Sequence, residues 1–303
     1  MTKRRMLVGL LGANIQGSMS PALFAAAFSA AGIDGYYHLL DVDCLPQRQL
    51  PQLLDALKVA GVAGANVTYP FKQAIIPLLD NVDRSATEVG AVNTITIAPD
   101  GRTTGYNFDR AGWRKAFVAA LGADSAKGKT VVQIGAGGAG RAVAFALMDL
   151  GVGDLVIHDL ERARATALCA DLARHYGAAR CRLVSTVASD IAGAAGVVNA
   201  TQVGMRGFPG NPVPVEVLTK GHWAADVIYT PLRTEFLNAA ASMGARTLNG
   251  SGMCVHQAVE AFRQLTGVTP DLGVLQRAFA TAVAERDAAL GGELTSTQQI
   301  ISA

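Results

Sequence analysis

The run Thr130-Val131-Val132-Gln133-Ile134-Gly135-Ala136-Gly137-Gly138-Ala139-Gly140-Arg141-Ala142-Val143-Ala144-Phe145-Ala146-Leu147-Met148-Asp149-Leu150 decides the fold. A largely apolar strand from Thr130 to Ile134 runs straight into Gly135-Ala136-Gly137-Gly138-Ala139-Gly140, which matches G-x-G-x-x-G, and an apolar helix follows from Ala142 to Leu150. Strand, glycine turn and helix in that order predict a dinucleotide-binding βα unit. The glycines allow a tight turn and let backbone N–H groups approach a pyrophosphate, whose charge is favoured at a helix N-terminus by ~0.3 to 1 kcal/mol. A glycine-rich packing turn is the competing reading, and the flanking strand and helix weigh against it.

Downstream, the strand 155–158 ends at Asp159, about 20 residues past the glycines, where a carboxylate accepts hydrogen bonds from the adenosine ribose. That favours NAD, because the 2′-phosphate of NADP would face Asp159 and Glu161. Arg162 and Arg164 stand in the first turn of the next helix and read as solvated charges rather than phosphate ligands. Further strands near 182–185, 197–200 and 224–229 alternate with helices, the longest at 161–176, so this half is doubly wound.

Upstream, strands at 7–11, 36–42, 64–68 and 93–97 alternate with helices at 47–60 and 71–79, the βαβ rhythm of a parallel sheet. Ser20-Pro21 opens a helix with an N-cap hydroxyl and a proline at its first position, Gly32 closes it, and Asp100-Gly101 makes a hairpin turn. Lys127-Gly128-Lys129 marks the passage to a second domain. Helices at 253–265 and 272–290 follow, then a polar tail, 291–303. The fold class is α/β with two domains.

Composition sets the outer limits. With 303 residues, 50% of them hydrophobic, and a mean hydropathy of +0.27, the chain has ample apolar surface to offset its conformational entropy. Twenty-six Lys and Arg against 24 Asp and Glu leave a charge of +2, which gives no electrostatic ground for nucleic acid or an anionic membrane as partner. Cys44, Cys169, Cys181 and Cys254 form no Cys-x-x-Cys pair, and the five histidines share no short ligand spacing, so reduced thiols in a cytoplasmic protein and no metal site are expected. The uncharged run after Lys3-Arg4-Arg5 is broken by Asn14, Gln16, Ser18, Ser20 and Pro21, too polar for a signal or membrane helix.

Three polar clusters stand where strands end, the place where α/β sites form. Ser18 and Ser20 precede the first helix, where they either hold a carboxylate or simply cap. Asn66-Val67-Thr68-Tyr69-Pro70-Phe71-Lys72 carries a lysine into a helix N-terminus, whose dipole disfavours a cation; it serves either chemistry or a charged surface. Asn107 and Asp109 stand at the passage between domains, and Asp109 is either functional or a helix cap.

Taken together, Ser18-x-Ser20-Pro21, Asn66-Val67-Thr68-x-Pro70-x-Lys72, Gly90-Ala91-Val92-Asn93-Thr94, Asn107-x-Asp109, the glycine turn, Asn199-Ala200-Thr201, Tyr229-x-Pro231-x-x-Thr234 and Gly250-x-x-Met253-x-x-x-Gln257 strongly resemble the shikimate/quinate dehydrogenase family over about 7 to 267. The resemblance implies an N-terminal substrate-binding domain, 1–110, on which the helices of 254–290 pack back, and a Rossmann-like domain, 111–253. It implies reversible oxidation of the C3 hydroxyl of shikimate, or the equivalent hydroxyl of quinate, by NAD, with NADP possible, in a monomer or homodimer. Lys72 and Asp109 would be the catalytic pair, exchanging the proton of that hydroxyl. Ser18 and Ser20 would bind the ring carboxylate, Thr68, Asn93, Asp109 and Gln257 the ring hydroxyls, and Tyr229 would line the cleft. The residues Gly135, Ala136, Gly137, Gly138, Ala139, Asp159, Arg162, Thr201, Gly250 and Met253 would serve the cofactor, Gly250 and Met253 beside the nicotinamide. An NADP-dependent or quinate- or aminoshikimate-preferring homologue, and a non-catalytic dinucleotide-binding regulator, are the alternatives.

The chain departs from the family pattern at Phe108, where threonine is usual, at Gly17, Asn14 and Phe24-Ala25 around the carboxylate loop, and at Gln202. A phenyl group in place of the threonine hydroxyl bears on which ring acid is accepted.

Overall fold

Eight residues, Arg5–Gly12, form β1 of a computed structural model that describes residues 5–45 and 47–289. The first unit takes the chain up to Phe108 and again from Val255 on; the second runs Asp109–Cys254. In the first unit β1 leads to α1 (Ser20–Ala31), β2 (Asp34–Asp41), α2 (Leu50–Val59), β3 (Gly64–Val67), α3 (Phe71–Ala74), β4 (Asn81–Val82), α4 (Arg84–Val89), β5 (Thr94–Ile97) and β6 (Thr103–Tyr106). The strand order is β2-β1-β3-β5-β6-β4.

This sheet is mixed, which corrects the parallel sheet expected from the βαβ rhythm. The strands β1, β2 and β3 are parallel, whereas β5 runs antiparallel to both β3 and β6. The cause is the tight turn at Asp100-Gly101: a turn that short joins only antiparallel strands, while a parallel pair needs a long crossover. Leu11, Leu54, Val67, Ile75, Val92 and Ile95 fill the core beneath it, all but inaccessible to water.

Two local expectations also change. The N-cap of α1 is Met19, with Ser20 as its first residue, so Ser20 does not cap; the Ser18 hydroxyl accepts from the Ser20 amide instead, at 3.2 Å. The helix expected over 71–79 stops at Ala74 and gives way to a 3-10 turn, Ile76–Leu78, because Pro77 lacks an N–H and its ring obstructs the preceding turn.

The second unit contains α5 (Asp109–Leu121), β7 (Thr130–Ile134), α6 (Gly138–Asp149), β8 (Asp154–His158), α7 (Arg162–Tyr176), β9 (Cys181–Leu183), α8 (Val187–Ala192), β10 (Gly196–Asn199), β11 (Trp223–Asp226), α9 (Glu235–Ser242) and β12 (Arg246–Leu248). Its six strands are all parallel, in the order β12-β11-β10-β7-β8-β9. The winding reverses between β7 and β10, so the crevice at their carboxyl ends is the ligand position of a doubly wound sheet. On α5, Trp113 stacks on Phe117 and Phe117 meets Trp223 edge-on, each at 5.0 Å, and burying such rings contributes ~1.5 to 3 kcal/mol apiece.

Two last helices, α10 (Ser251–Thr266) and α11 (Leu272–Ala289), return the chain to the first unit, where Phe262 meets Phe24 and Phe28 of α1. The 291–303 tail lies outside the described residues. The expectation of reduced thiols fails at one pair: Cys169 and Cys181 form a disulfide. Reversal through the turn Ala178–Arg180 lays β9 beside α7 and brings the two Cα atoms to 5.5 Å, within disulfide reach, a proximity that cysteine spacing alone does not show. No helix among the described residues is long and apolar enough to cross a membrane.

Candidate active site

In the first unit, the carboxyl end of β3 and the start of β5 gather the polar residues of the sequence motifs. The Val67 amide donates to the Asn93 carbonyl and the Val92 amide to the Lys72 carbonyl, at 2.8 and 2.7 Å, which ties the Thr68–Lys72 turn to Asn93. The Ala13 amide donates to the Tyr69 carbonyl at 2.8 Å, so the loop bearing Ser18 and Ser20 lies against the same turn. Asp41 and Asp43 hold that loop from the other side, accepting from the Ile15 and Asn14 amides. Lys72 is half-buried and Ser20 buried.

A directed chain of hydrogen bonds orients Asn93. The Tyr37 hydroxyl donates to Asn66 Oδ1 (2.9 Å), Asn66 Nδ2 donates to Thr94 Oγ1 (3.0 Å), and the Thr94 hydroxyl donates to Asn93 Oδ1 (3.0 Å). Asn93 Oδ1 accepts from the Phe108 amide as well, at 3.0 Å. With its oxygen engaged twice, Asn93 turns Nδ2 toward Gln257, 3.5 Å from Oε1, and presents a donor suited to a hydroxyl oxygen. Phe108 stacks on Tyr106 with centroids 5.9 Å apart. In sequence nothing sets Tyr37 apart from its neighbour Tyr36; burial, which only the fold decides, separates the two.

In the second unit the glycine turn sits as its motif predicts. Gly135 has φ +103°, a left-handed conformation open to glycine, and a Cβ on Gly140 would stand 2.2 Å from the Gly135 carbonyl oxygen, so the third glycine lets helix and turn touch. Gln133 Nε2, buried below, donates to the carbonyls of both Gly135 and Gly140 at 2.8 Å and locks the turn. Gly137, the N-cap of α6, has open space where its Cβ would be. A pyrophosphate fits there, against the N-terminal amides of α6 that include Gly138 and Ala139. Asp159 follows β8 directly and accepts from the Ala136 amide (2.7 Å) and the Glu161 amide (2.8 Å), so it braces the turn while keeping lone pairs that could accept from further donors. Arg162 is exposed, and Arg164 pairs with Glu161 at 2.7 Å.

At the carboxyl ends of β10 and β11 lies a buried network that sequence reading left unassigned. Asp226 accepts from the Ile228 amide, Asn199 Nδ2 and the Thr234 hydroxyl, and Asn199 Oδ1 accepts from both the amide and the hydroxyl of Thr201. An acid ending the apolar strand Trp223-Ala224-Ala225 was the signal for it. The network shapes the segment that carries half-buried Tyr229; the Gly250 amide donates to the Ile228 carbonyl of that segment, and Met253, three residues further on, is buried. Among the described residues no group of three or more His, Cys, Asp and Glu could hold a metal ion.

Burial pushes the Asp226 carboxyl from its ordinary 3.8 up to about 7, against the surrounding donors that favour its ionised form. Between those values the folded chain holds a proton that the unfolded chain releases, so this group's contribution to stability is full below 3.8 and is lost as pH rises through 7. Thermal unfolding from pH 5 to 8.5 is expected to show a falling Tm, and Asp226→Asn, which matches the protonated form, is expected to flatten that fall. An equal slope in the variant would exclude Asp226 as its origin.

A doubly wound sheet with a glycine turn at its switch point, joined to a mixed α/β unit whose loops collect hydroxyl, amide and ammonium groups, defines a two-domain protein of the NAD(P)-dependent dehydrogenase class. Residues 10–95 match the family model of the shikimate dehydrogenase substrate binding domain. The chain is 42% identical over 278 residues to the quinate/shikimate dehydrogenase (NAD(+)) of Corynebacterium efficiens, covering 90% of this chain and 97% of that one. It is 43% identical over 275 residues to the shikimate dehydrogenase (NADP(+)) of Streptomyces avermitilis, covering 89% and 94%. The structure of quinate dehydrogenase from Corynebacterium glutamicum in complex with NAD superposes with a TM-score of 0.84 at 41% identity, over 92% of this chain and all of that one. This chain belongs to the shikimate/quinate dehydrogenase family.

Proposed function

We propose that the protein reversibly oxidises the C3 hydroxyl of shikimate, or the equivalent hydroxyl of quinate, to the ketone, with NAD preferred over NADP. The observation that carries this is the set Asn66-x-Thr68-x-Pro70-x-Lys72, Asn93, Asn107-x-Asp109 and Gln257 in a chain 42% identical to an NAD-dependent quinate/shikimate dehydrogenase. NAD, when bound, accepts the hydride that leaves the carbinol carbon. This chain's residues do the rest. Lys72 and Asp109 act as one dyad that takes the hydroxyl proton during oxidation and returns it during reduction. Ser18 and Ser20 hold the ring carboxylate, Thr68, Asn93 and Gln257 orient the hydroxyls, and Tyr229 lines the cleft. The turn from Gly135 to Ala139 receives the pyrophosphate, Asp159 the ribose, Thr201 contacts the cofactor, and Gly250 and Met253 border the nicotinamide. The domain assignment, 1–110 with 254–290 for the substrate and 111–253 for the dinucleotide, belongs to this reading, as do a cytoplasmic setting and a monomeric or homodimeric state.

Initial rates for shikimate, quinate and related ring acids, each with NAD and with NADP, test it. Turnover of shikimate or quinate with kcat/KM at least tenfold higher for NAD is expected, since a 2′-phosphate would meet the Asp159 carboxylate. Asp159→Ser is expected to narrow that ratio at least tenfold and to raise KM for NAD as the brace on Ala136 is lost. Tight dinucleotide binding without turnover of any ring acid would support the regulator instead.

A further inference from the structure

We propose that Arg110 is a positioning residue, which clamps the first turn of α5 onto the ends of α6 and α7 and so fixes the Asp109 carboxyl within the dinucleotide unit. The inference rests on the reading of Asp109 as half of the proton-exchanging dyad. Asp109 and Arg110 are the first two residues of α5. Arg110 Nε and Nη2 donate to Asp149 Oδ2 and Oδ1, both at 2.7 Å, a two-pronged fork onto the last residue of α6. Nη2 also donates to the hydroxyl of Tyr176, the last residue of α7, at 2.9 Å, and that hydroxyl donates to Asp149 Oδ1 at 2.7 Å. The guanidinium lies over the Phe145 ring, 5.3 Å from its centroid.

The placement of the charges shows what this cluster is for. Arg110 is a cation in the first turn of its helix and Asp149 an anion in the last turn of its own, so each opposes its helix dipole and neither serves local helix stability. What they satisfy is each other, across helices, with side chains 21% and 23% exposed. Further along, α5 is held by the rings of Trp113 and Phe117, whereas its first turn, Asp109-Arg110-Ala111-Gly112, has no large apolar side chain to anchor it, and the end of a helix is where fraying starts. Asp109 sits on that turn. Proton transfer needs heavy atoms within ~2.6 to 3.2 Å, and a displacement of ~1 Å costs on the order of 100-fold in rate, so the clamp acts on turnover through Asp109.

The test uses the full chain, with kcat, KM for the ring acid, dinucleotide Kd by fluorescence titration and Tm measured for R110M, D149N, R110K and the swap R110D/D149R. The expected result is a kcat about tenfold lower in R110M and D149N, with dinucleotide Kd within about twofold of the parent. The swap places each charge at the helix end its dipole favours and restores the pair; its kcat is expected to return to within about threefold of the parent. R110K keeps the charge but loses the fork, and an intermediate kcat, about threefold down, is expected even if R110M does not fold. Parental kcat in R110M and D149N, or in R110K where R110M is not recovered, overturns the clamp even if Tm falls, as does a swap no better than the single variants. D109N runs in parallel: if it is as active as the parent, the reading of Asp109 fails and the clamp with it, whereas an inactive D109N beside a fully active R110M rejects the clamp alone.

Discussion

Lys72→Ala is expected to lower kcat for ring-acid oxidation by about 10² to 10⁴, the usual worth of a positioned acid or base, while dinucleotide Kd stays within about twofold and ring-acid affinity changes far less than kcat. The asymmetry follows from where the residue acts. A group that exchanges a proton with the reacting hydroxyl stabilises the transition state most, whereas the carboxylate and hydroxyl contacts proposed for the serines, Thr68, Asn93 and Gln257 would hold ground state and transition state alike. Lys72→Arg is expected not to restore activity, because a guanidinium keeps its charge and cannot trade the proton. On the proposed reading, in which Lys72 and Asp109 would work as a unit, K72A/D109N is expected to be little worse than either single variant. Steady-state rates combined with titration of the binary complexes check all of this, and a kcat for K72A near that of the parent would remove the lysine from the mechanism.

The second large effect is expected at the glycine turn. Gly137 has an extended backbone and nothing within 4 Å of its Cβ position, so Gly137→Ala should fold with an unchanged Tm. The same methyl group would stand where a pyrophosphate approaches the amides of α6, and a loss of dinucleotide affinity of at least about 100-fold, ~2.7 kcal/mol, is expected. Gly140→Ala should behave in the opposite sense: its Cβ would meet the Gly135 carbonyl oxygen at 2.2 Å, and stability should suffer first. Thermal scans and fluorescence titration on the two variants separate a glycine kept for a ligand from one kept for packing. Unchanged NAD affinity in G137A would place the pyrophosphate elsewhere.

Much of this was open to reading along the chain because the determinants are local. Thr130–Ile134, the glycines and α6 follow one another directly, and each follows from steric and periodic rules that act over a few residues. Gly32 stops α1 in a left-handed conformation as its chemistry demands. Where those rules competed, boundaries moved: Pro77 cut a nine-residue helical expectation to the four residues of α3, and Met19 took the cap from Ser20.

By itself, then, the sequence determined the doubly wound dinucleotide unit, the two-part α/β organisation and the identity of the polar groups at the strand ends, because short spacings suffice to specify them. Only tertiary structure decided the antiparallel pairing of β5 with β3, the Cys169–Cys181 disulfide, the direction of the chain from Tyr37 to Asn93, the burial of Asp226 and the grip of Arg110 on Asp149. These rest on partners 29 residues apart for Tyr37 and Asn66, 39 for Arg110 and Asp149, and 164 for Asn93 and Gln257. Nothing in a residue's immediate neighbours specifies such pairs; packing of whole elements around the apolar cores brings them together and, once they are buried, makes an unmet hydrogen bond costly enough to hold them there.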